Sequence, residues 1–189
     1  DFGAGDNYYS TLNNVKKMEE EANKVGLPAV NPYSAMAKFF KAYFFTKMSL
    51  EMGDVPMTEA LKGAENLNPV YDSQKAVFVQ AFKWLDSANT DLASLIQAGN
   101  LSMSGDFYFD NNLSKWQKAV NTYRLRMLIE LSNKADDAEL NVKGQFASII
   151  NDPAKYPLME NAGDNLQYQF RHPSNDYPMN PGNFGFDAL

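Results

Sequence analysis

The chain contains no cysteine. Disulfide staples, thiolate zinc sites and cysteine nucleophiles are excluded at once. It contains one histidine, His172, so neither paired-histidine catalysis nor a histidine-rich metal site can be assembled from it. Positive charge is scarce as well. Lys and Arg number 17 against 23 Asp and Glu, which leaves a net charge of −6 and a pI of about 4.8. Binding a phosphate backbone needs cations that displace condensed counterions, so no nucleic-acid partner is expected. An acidic surface does not favour anionic lipid either. No apolar run approaches the roughly 18 residues that a bilayer-spanning helix needs. The chain opens at Asp1-Phe2-Gly3, without an initiator Met, a basic leader or an apolar leader segment. The expectation is a processed or excised piece of something longer.

What is present is a globular composition with an excess of rings. Of 189 residues, 44% are hydrophobic and 21% charged, and Phe, Tyr and Trp number 13, 10 and 2. At roughly 150 residues per domain the length suits one domain, or one plus an appendage.

Five helical segments are predicted, followed by a tail. The first runs from Asn7 to Val25, carries the acidic run Glu19-Glu20-Glu21, and stops at Gly26 and Pro28. The second opens at Asn31-Pro32, an N-cap followed by proline at the first helical position. Met36, Phe39, Phe40, Tyr43 and Phe44 then recur at i, i+3, i+4, i+7 and i+8, one wide apolar face. Gly53 ends it, and Met57 to Ala60 reads as one helical turn in a connector. Asp72-Ser73 precedes the third helix, whose stripe runs Phe78, Ala81, Phe82, Leu85, Ala88, Leu92, Leu95, Ile96 before Gly99. The fourth starts at Ser114, with Trp116, Ala119, Val120, Tyr123, Met127 and Leu131 on one face. The fifth starts near Asp136 or Asp137, with Val142, Phe146, Ile149 and Ile150 as its stripe, and ends at Asp152-Pro153.

From Ala154 the chain turns rich in Pro, Gly, Asn and Asp. Only Leu166 to Arg171 alternates in the manner of a short strand, and His172 to Leu189 reads as loop. No strict repeat is present, but helix pairs joined by short loops suit a tetratricopeptide-like stack. The expected fold is all-α: antiparallel helical hairpins over residues 1–153 and a loop-rich tail over 154–189.

The search for chemistry finds little. Gly3-Ala4-Gly5 precedes a polar helix rather than following a strand, so it is no phosphate cradle. A Gly-x-Ser-x-Gly elbow is absent, and His172 sits in a Pro-rich tail, away from the rigid element that a triad needs. Asp106 and Asp110 flank Phe107-Tyr108-Phe109. They could flank a sugar or hold calcium through oxygens, but a plain Asx-rich approach to a helix is preferred. A glycosidase would need two carboxylates across one cleft, and Glu19 to Glu21 read instead as a solvated face. Asn100-Leu101-Ser102 and Asn112-Leu113-Ser114 match the glycosylation acceptor pattern, which is common by chance. Arg126 and Glu130 stand at i, i+4 and make a local ion pair.

The aromatic triplet is more informative. Three consecutive rings cannot all face one core, so at least one is expected to face solvent or a neighbouring element. An exposed ring offers a stacking surface to the C–H face of a sugar. Trp84 and Trp116, on helices, are expected in the core.

Three stretches together resemble one family. Ala42-Tyr43-Phe44-Phe45 followed by Glu51-Met52-Gly53-Asp54-Val55-Pro56-Met57-Thr58-Glu59-Ala60 resembles the helix and G-D-[IV]-P-x-x-E-A connector of SusD/RagB-like proteins. Pro69-Val70-Tyr71-Asp72-Ser73-Gln74 with Leu85-Asp86-Ser87-Ala88 is similar to its P-x-Y-D-x-Q and L-D-x-A helix. Asp106, Tyr108 and Ser114 to Arg126 resemble its K-W-x-K-x-x-N segment. Order and spacing match from about Asn7 to Asn151, most closely in the SusD-like 2 branch. The resemblance implies tetratricopeptide-like hairpins and a binding role without catalysis. It also implies an outer-membrane, cell-surface lipoprotein that takes up glycans or other nutrients with a TonB-dependent transporter as partner. The family's acylated cysteine is missing here, and members are usually more than twice this length. The expected ligand-contacting residues are Phe107, Tyr108 and Tyr177, for an oligo- or polysaccharide. No metal or cofactor is expected. The alternative is a helical protein–protein scaffold with no small ligand.

Overall fold

Short polar side chains set where each helix begins. In the computed structural model, which describes residues 8–100, 103–170 and 176–177, five helices follow in order. They are α1 (Tyr8–Lys24), α2 (Pro32–Met52), α3 (Gln74–Gln97), α4 (Leu113–Glu130) and α5 (Val142–Asn151). Asn31 caps α2: its Oδ1 accepts from Ser34 N at 2.9 Å, while Asn31 N donates to Ser34 Oγ at 3.1 Å. This reciprocal box satisfies two donors that the first turn leaves unpaired. Ser73 caps α3 through Ala76 N, and Asn112 caps α4 through Lys115 N. Gly53 ends α2 at φ +82°, donating its N–H to Ser49 O at 2.8 Å. That positive φ is open to glycine and strained for a residue with a Cβ.

Successive helices pack on one another, and the contact between α2 and α3 is the most extensive. Four alanines at that contact, Ala35, Ala42, Ala81 and Ala88, are fully buried and let the two backbones approach closely. The main core joins Phe39, Phe78, Leu85, Leu92, Trp116 and Leu128 from three helices. A second cluster gathers Leu12 of α1, Phe45 and Met48 of α2, Val77 of α3, and Val55 and Met57 of the connector. Each such side chain contributes about 1.5–3 kcal/mol on leaving water. Of the predicted stripe on α2, Met36 and Phe39 are buried while Phe40, Tyr43 and Phe44 are half-buried. The opposite side, with Ala37, Phe45 and Met48, is buried too, because α2 lies between neighbours.

Residues 53–73 form a pinned connector. Val55 and Asp72 make the single β-bridge among the described residues. The Asp72 carboxylate accepts from Met57 N and Thr58 N, both at 2.8 Å, and from Thr58 Oγ1. Asp54 Oδ1 accepts from Gln74 N, and Gln74 Nε2 reaches back to Ser49 O. Glu59 accepts from Asn66 Nδ2 and Val70 N. Two of the sequence stretches that stood out are therefore halves of one hydrogen-bonded unit.

Several expectations are corrected. The strand expected over Leu166 to Arg171 is not found among the described residues: 165–170 carry no regular structure and make no backbone ladder. Alternation sets which side chains share a face, but a strand also needs a partner. The fifth helix begins at Val142, not at Asp136 or Asp137. Asp137 Oδ1 instead accepts from Glu139 N and Leu140 N, an Asx turn that competes with helix, and Asn141 is left-handed at φ +45°. Of that helix's expected stripe, Val142 and Ile149 are buried while Phe146 and Ile150 stay exposed, because α4 is the one helix that α5 packs against extensively among the described residues. Met57 to Ala60 closes only one i→i+3 hydrogen bond, Ala60 N to Met57 O, and is a turn rather than helix. Asn7, Leu101, Ser102, Arg171, His172 and residues 178–189 lie outside the described residues.

Polar ties fix the far side of α4. Asn89 Oδ1 accepts from both Gln117 Nε2 (3.0 Å) and Asn121 Nδ2 (2.9 Å), inside the core. Arg124 donates to Asp86 Oδ1 at 2.6 Å and to Gln145 Oε1 at 2.7 Å, binding α3, α4 and the start of α5. Beyond α5, Tyr156 enters the core, Thr122 Oγ1 accepts from Met159 N, and Lys118 pairs with Asp164 at 3.0 Å. These contacts bring residues 156–164 along α4 and set the direction of the segment after them.

Candidate functional site

The loop before α4 is organised by one carboxylate. Asp106 Oδ1 accepts from Tyr108 N (2.9 Å) and Phe109 N (3.3 Å). Its Oδ2 accepts from Asn111 N (3.1 Å) and from Trp116 Nε1 (2.7 Å). Asp110 and Asn111 turn the chain at φ +51° and +65°. With four donors around it, the Asp106 carboxylate is committed to the loop. It is not offered to a cation or a sugar.

This turn divides the three consecutive rings. Phe109, 5% exposed, packs edge-on against Trp116 at 5.1 Å. Tyr108 is half-buried, and Phe107 stands 63% exposed. Burial, with smaller contributions from Tyr43, Tyr168 and Asp106, raises the Tyr108 hydroxyl above its usual pKa. A phenol is protonated at neutral pH in any case, so the O–H remains a donor.

The segment after Asn165 carries further rings to the same place. Tyr168 meets Phe107 edge-on at 5.4 Å and Tyr108 at 6.4 Å. Phe170 follows at 5.0 Å from Tyr168, and Tyr177 at 5.0 Å from Phe170. Phe107, Tyr168, Phe170 and Tyr177 are all exposed. The three residues singled out from the sequence thus belong to one array, joined by Tyr168 and Phe170, which sequence reasoning missed. A signal for them existed. The period-two alternation of Leu166, Tyr168 and Phe170 marked one face, and was read as a strand rather than as a row of rings.

Between this segment and α2 lies a groove of about 300 Å³, lined by Phe40, Tyr43, Phe44, Tyr108 and Tyr168 among others. The Trp residues lie apart from the array's surface. Trp116 is buried, and Trp84 stacks on Phe45 at 5.9 Å, half-buried. The remaining polar candidates are structural. Glu19 pairs with Lys41, Glu21 with Lys17 and Lys24, and Arg126 with Glu130 at 2.9 Å. Among the described residues no cluster of His, Asp or Glu could hold a metal ion, and no helix is long and apolar enough to cross a membrane. The chemistry on offer is stacking and apolar contact at an aromatic surface.

Comparison with known proteins agrees with this picture. A family model described as SusD-like, starch-binding and associating with the outer membrane matches residues 3–181. An outer-membrane nutrient-binding candidate from Bacteroides vulgatus superimposes with a TM-score of 0.79 at 38% identity, over 94% of this chain and 36% of that one. A SusD homologue from Bacteroides fragilis gives 0.79 at 37% identity, over 93% of this chain and 35% of that one. A chitin-binding SusD homologue from Flavobacterium johnsoniae shares the fold, with a TM-score of 0.62 at 21% identity, over 84% of this chain and 32% of that one. The chain thus spans about a third of the length of these solved structures. No curated protein matches it.

Proposed function

The chain belongs to the SusD-like family associated with the outer membrane, and from that premise we propose that it is the helical part of a cell-surface lipoprotein that binds glycans. The bound saccharide is handed to a TonB-dependent transporter, which supplies the energy of uptake. The chain itself makes and breaks no covalent bond. Its role is to hold the sugar by stacking on rings and by a few hydrogen bonds.

One observation carries this reading: the continuous array of Phe107, Tyr108, Tyr168, Phe170 and Tyr177. Exposed rings in series offer apolar faces and edges to the C–H faces of a saccharide. The pinned loop around Asp106 supports it, because pre-ordered rings lose little freedom when a ligand arrives. The test is native electrophoresis in gels cast with a panel of polysaccharides. Retardation by one glycan, reduced in the Phe107→Ala/Tyr168→Ala variant, supports the proposal. Uniform migration across a broad panel opposes it.

A second reading, a protein-interaction scaffold, is favoured by the connector. It holds Leu67 and Tyr71 out at 78% and 72% exposure on a rigid frame. Loss of transporter co-purification in the Leu67→Asp/Tyr71→Ala variant, with unchanged glycan retardation, would assign that surface to the partner.

A further inference from the structure

A separate cavity of about 170 Å³ lies under the ring array, between α1, α2 and the loop before α4. Its walls include Met18, Met36, Met103, Phe40 and Trp116. Of the polar groups on its lining residues, those of Tyr33, Ser104 and Asp106 are already engaged. Tyr33 Oη and Ser104 Oγ share a hydrogen bond, Ser104 N donates to Tyr33 Oη at 3.1 Å, and the Asp106 carboxylate is filled by its four donors. Sugar hydroxyls placed inside would lose their water and find few partners in return. An apolar group carries no such cost.

Size and lining narrow the choice. An apolar cavity of roughly 150 Å³ is enough for one benzene ring. Three thioethers line this one, and polarizable sulfur against a ring edge is a favourable contact on an adaptable side chain. Phe40 and Trp116 add ring–ring packing. Position narrows it again. Tyr108 lines both this cavity and the groove beneath Tyr168, and Phe107 lines the cavity while meeting Tyr168. A group seated in the cavity is therefore continuous with whatever lies on the array.

We propose that this cavity takes a single aromatic ring, and that the ligand is a saccharide bearing an aryl substituent. The aryl ring enters between the methionines while its sugar rests against Phe107 and Tyr168. The inference rests on the glycan-binding reading and adds the substituent to it.

The experiment is calorimetric titration of the chain with phenyl and methyl β-glycosides of the same sugars, alongside phenol and N-acetyl-phenylalanine amide. Phenyl glycosides should bind about tenfold or more tightly than methyl glycosides, and more tightly than phenol. Met18→Trp, which fills the cavity, should abolish that preference. Should circular dichroism show Met18→Trp misfolded, Met18→Ala, which removes part of the wall, should reduce the preference. Equal affinity for phenyl and methyl glycosides would overturn the inference and leave the glycan reading intact. Phenol or the amide binding as tightly as the phenyl glycosides would overturn the saccharide assignment. A preference that persists in both Met18 variants would overturn the location. Failure of every glycoside, together with no retardation by any polysaccharide, would remove the glycan reading itself.

Discussion

Trp116 Nε1 donates a 2.7 Å hydrogen bond to Asp106 Oδ2, and this contact joins the core to the aromatic loop. The indole is buried against Phe39 and Phe109, so its N–H has no route to water. The carboxylate it meets also holds the backbone of Tyr108 and Phe109. Asp106→Ala should therefore destabilise the chain by about 1–3 kcal/mol, the cost of a stranded buried donor. Asp106→Asn, which keeps an acceptor, should cost less. Urea unfolding followed by tryptophan fluorescence measures both.

Asp72 should govern part of the acid limb. Its desolvation raises the carboxyl pKa, but the hydrogen bonds from Thr58 N, Met57 N and Thr58 Oγ1 outweigh that and bring it below the ordinary value. A folded pKa below the unfolded one means that folding favours the ionised form. The stabilisation is complete above the unfolded pKa of about 3.9 and disappears as pH falls through the lower folded value. Asp72→Asn should be less stable than the parent at pH 7 and should lose less stability between about pH 5 and pH 2. Denaturant midpoints across that range provide the check.

Gly53 stands at φ +82° and ψ −120° with open space around its Cα. Backbone conformation alone, not crowding, sets the cost of Gly53→Ala, about 1–3 kcal/mol. A thermal melt should show a lower Tm with unchanged helical content.

Asn89→Leu should cost about 2 kcal/mol or more, because it strands the amide donor of Gln117 and one of the two donors of Asn121, whose other partner is Pro157 O. The Asn89→Leu/Asn121→Leu pair should show coupling, since removing a second amide also removes one of the stranded donors. A double-mutant cycle in urea measures it.

Phe107→Ala, Tyr168→Ala and Phe170→Ala each remove an exposed ring. Stability should change by less than about 0.5 kcal/mol for Phe107, while affinity for a retarding glycan should fall roughly two- to tenfold per ring. Affinity electrophoresis of the single and triple variants separates binding from folding.

Much of the architecture was legible before any coordinates. Asn31-Pro32 and Ser73 mark helix starts through side-chain oxygens that only the next turn can use, and Gly53 marks a stop through a φ that other residues avoid. The stripe from Phe78 to Leu95 told of a helix with one buried face. These signals are local: each depends on residues within a turn or two of chain. The fifth helix was misplaced because Asp137 can cap a helix or close an Asx turn, and neighbouring residues alone do not decide between them.

The aromatic site was legible only in fragments. Consecutive rings at Phe107, Tyr108 and Phe109 meant that at least one would face solvent or a neighbouring element, but the Asp106 carboxylate decided which. That Phe107 lies beside Tyr168 depends on residues 156–164 running along α4, held by Tyr156, Lys118 and Thr122. Composition excluded thiol chemistry and histidine-rich metal sites built from this chain, since no fold can supply side chains that the chain lacks. The sequence also determined that five helices form and where most of them start and stop, because capping and periodicity act over a few residues. The ring array and the cavity beneath it were decided by tertiary packing, because they join side chains some sixty residues apart whose meeting no local preference encodes.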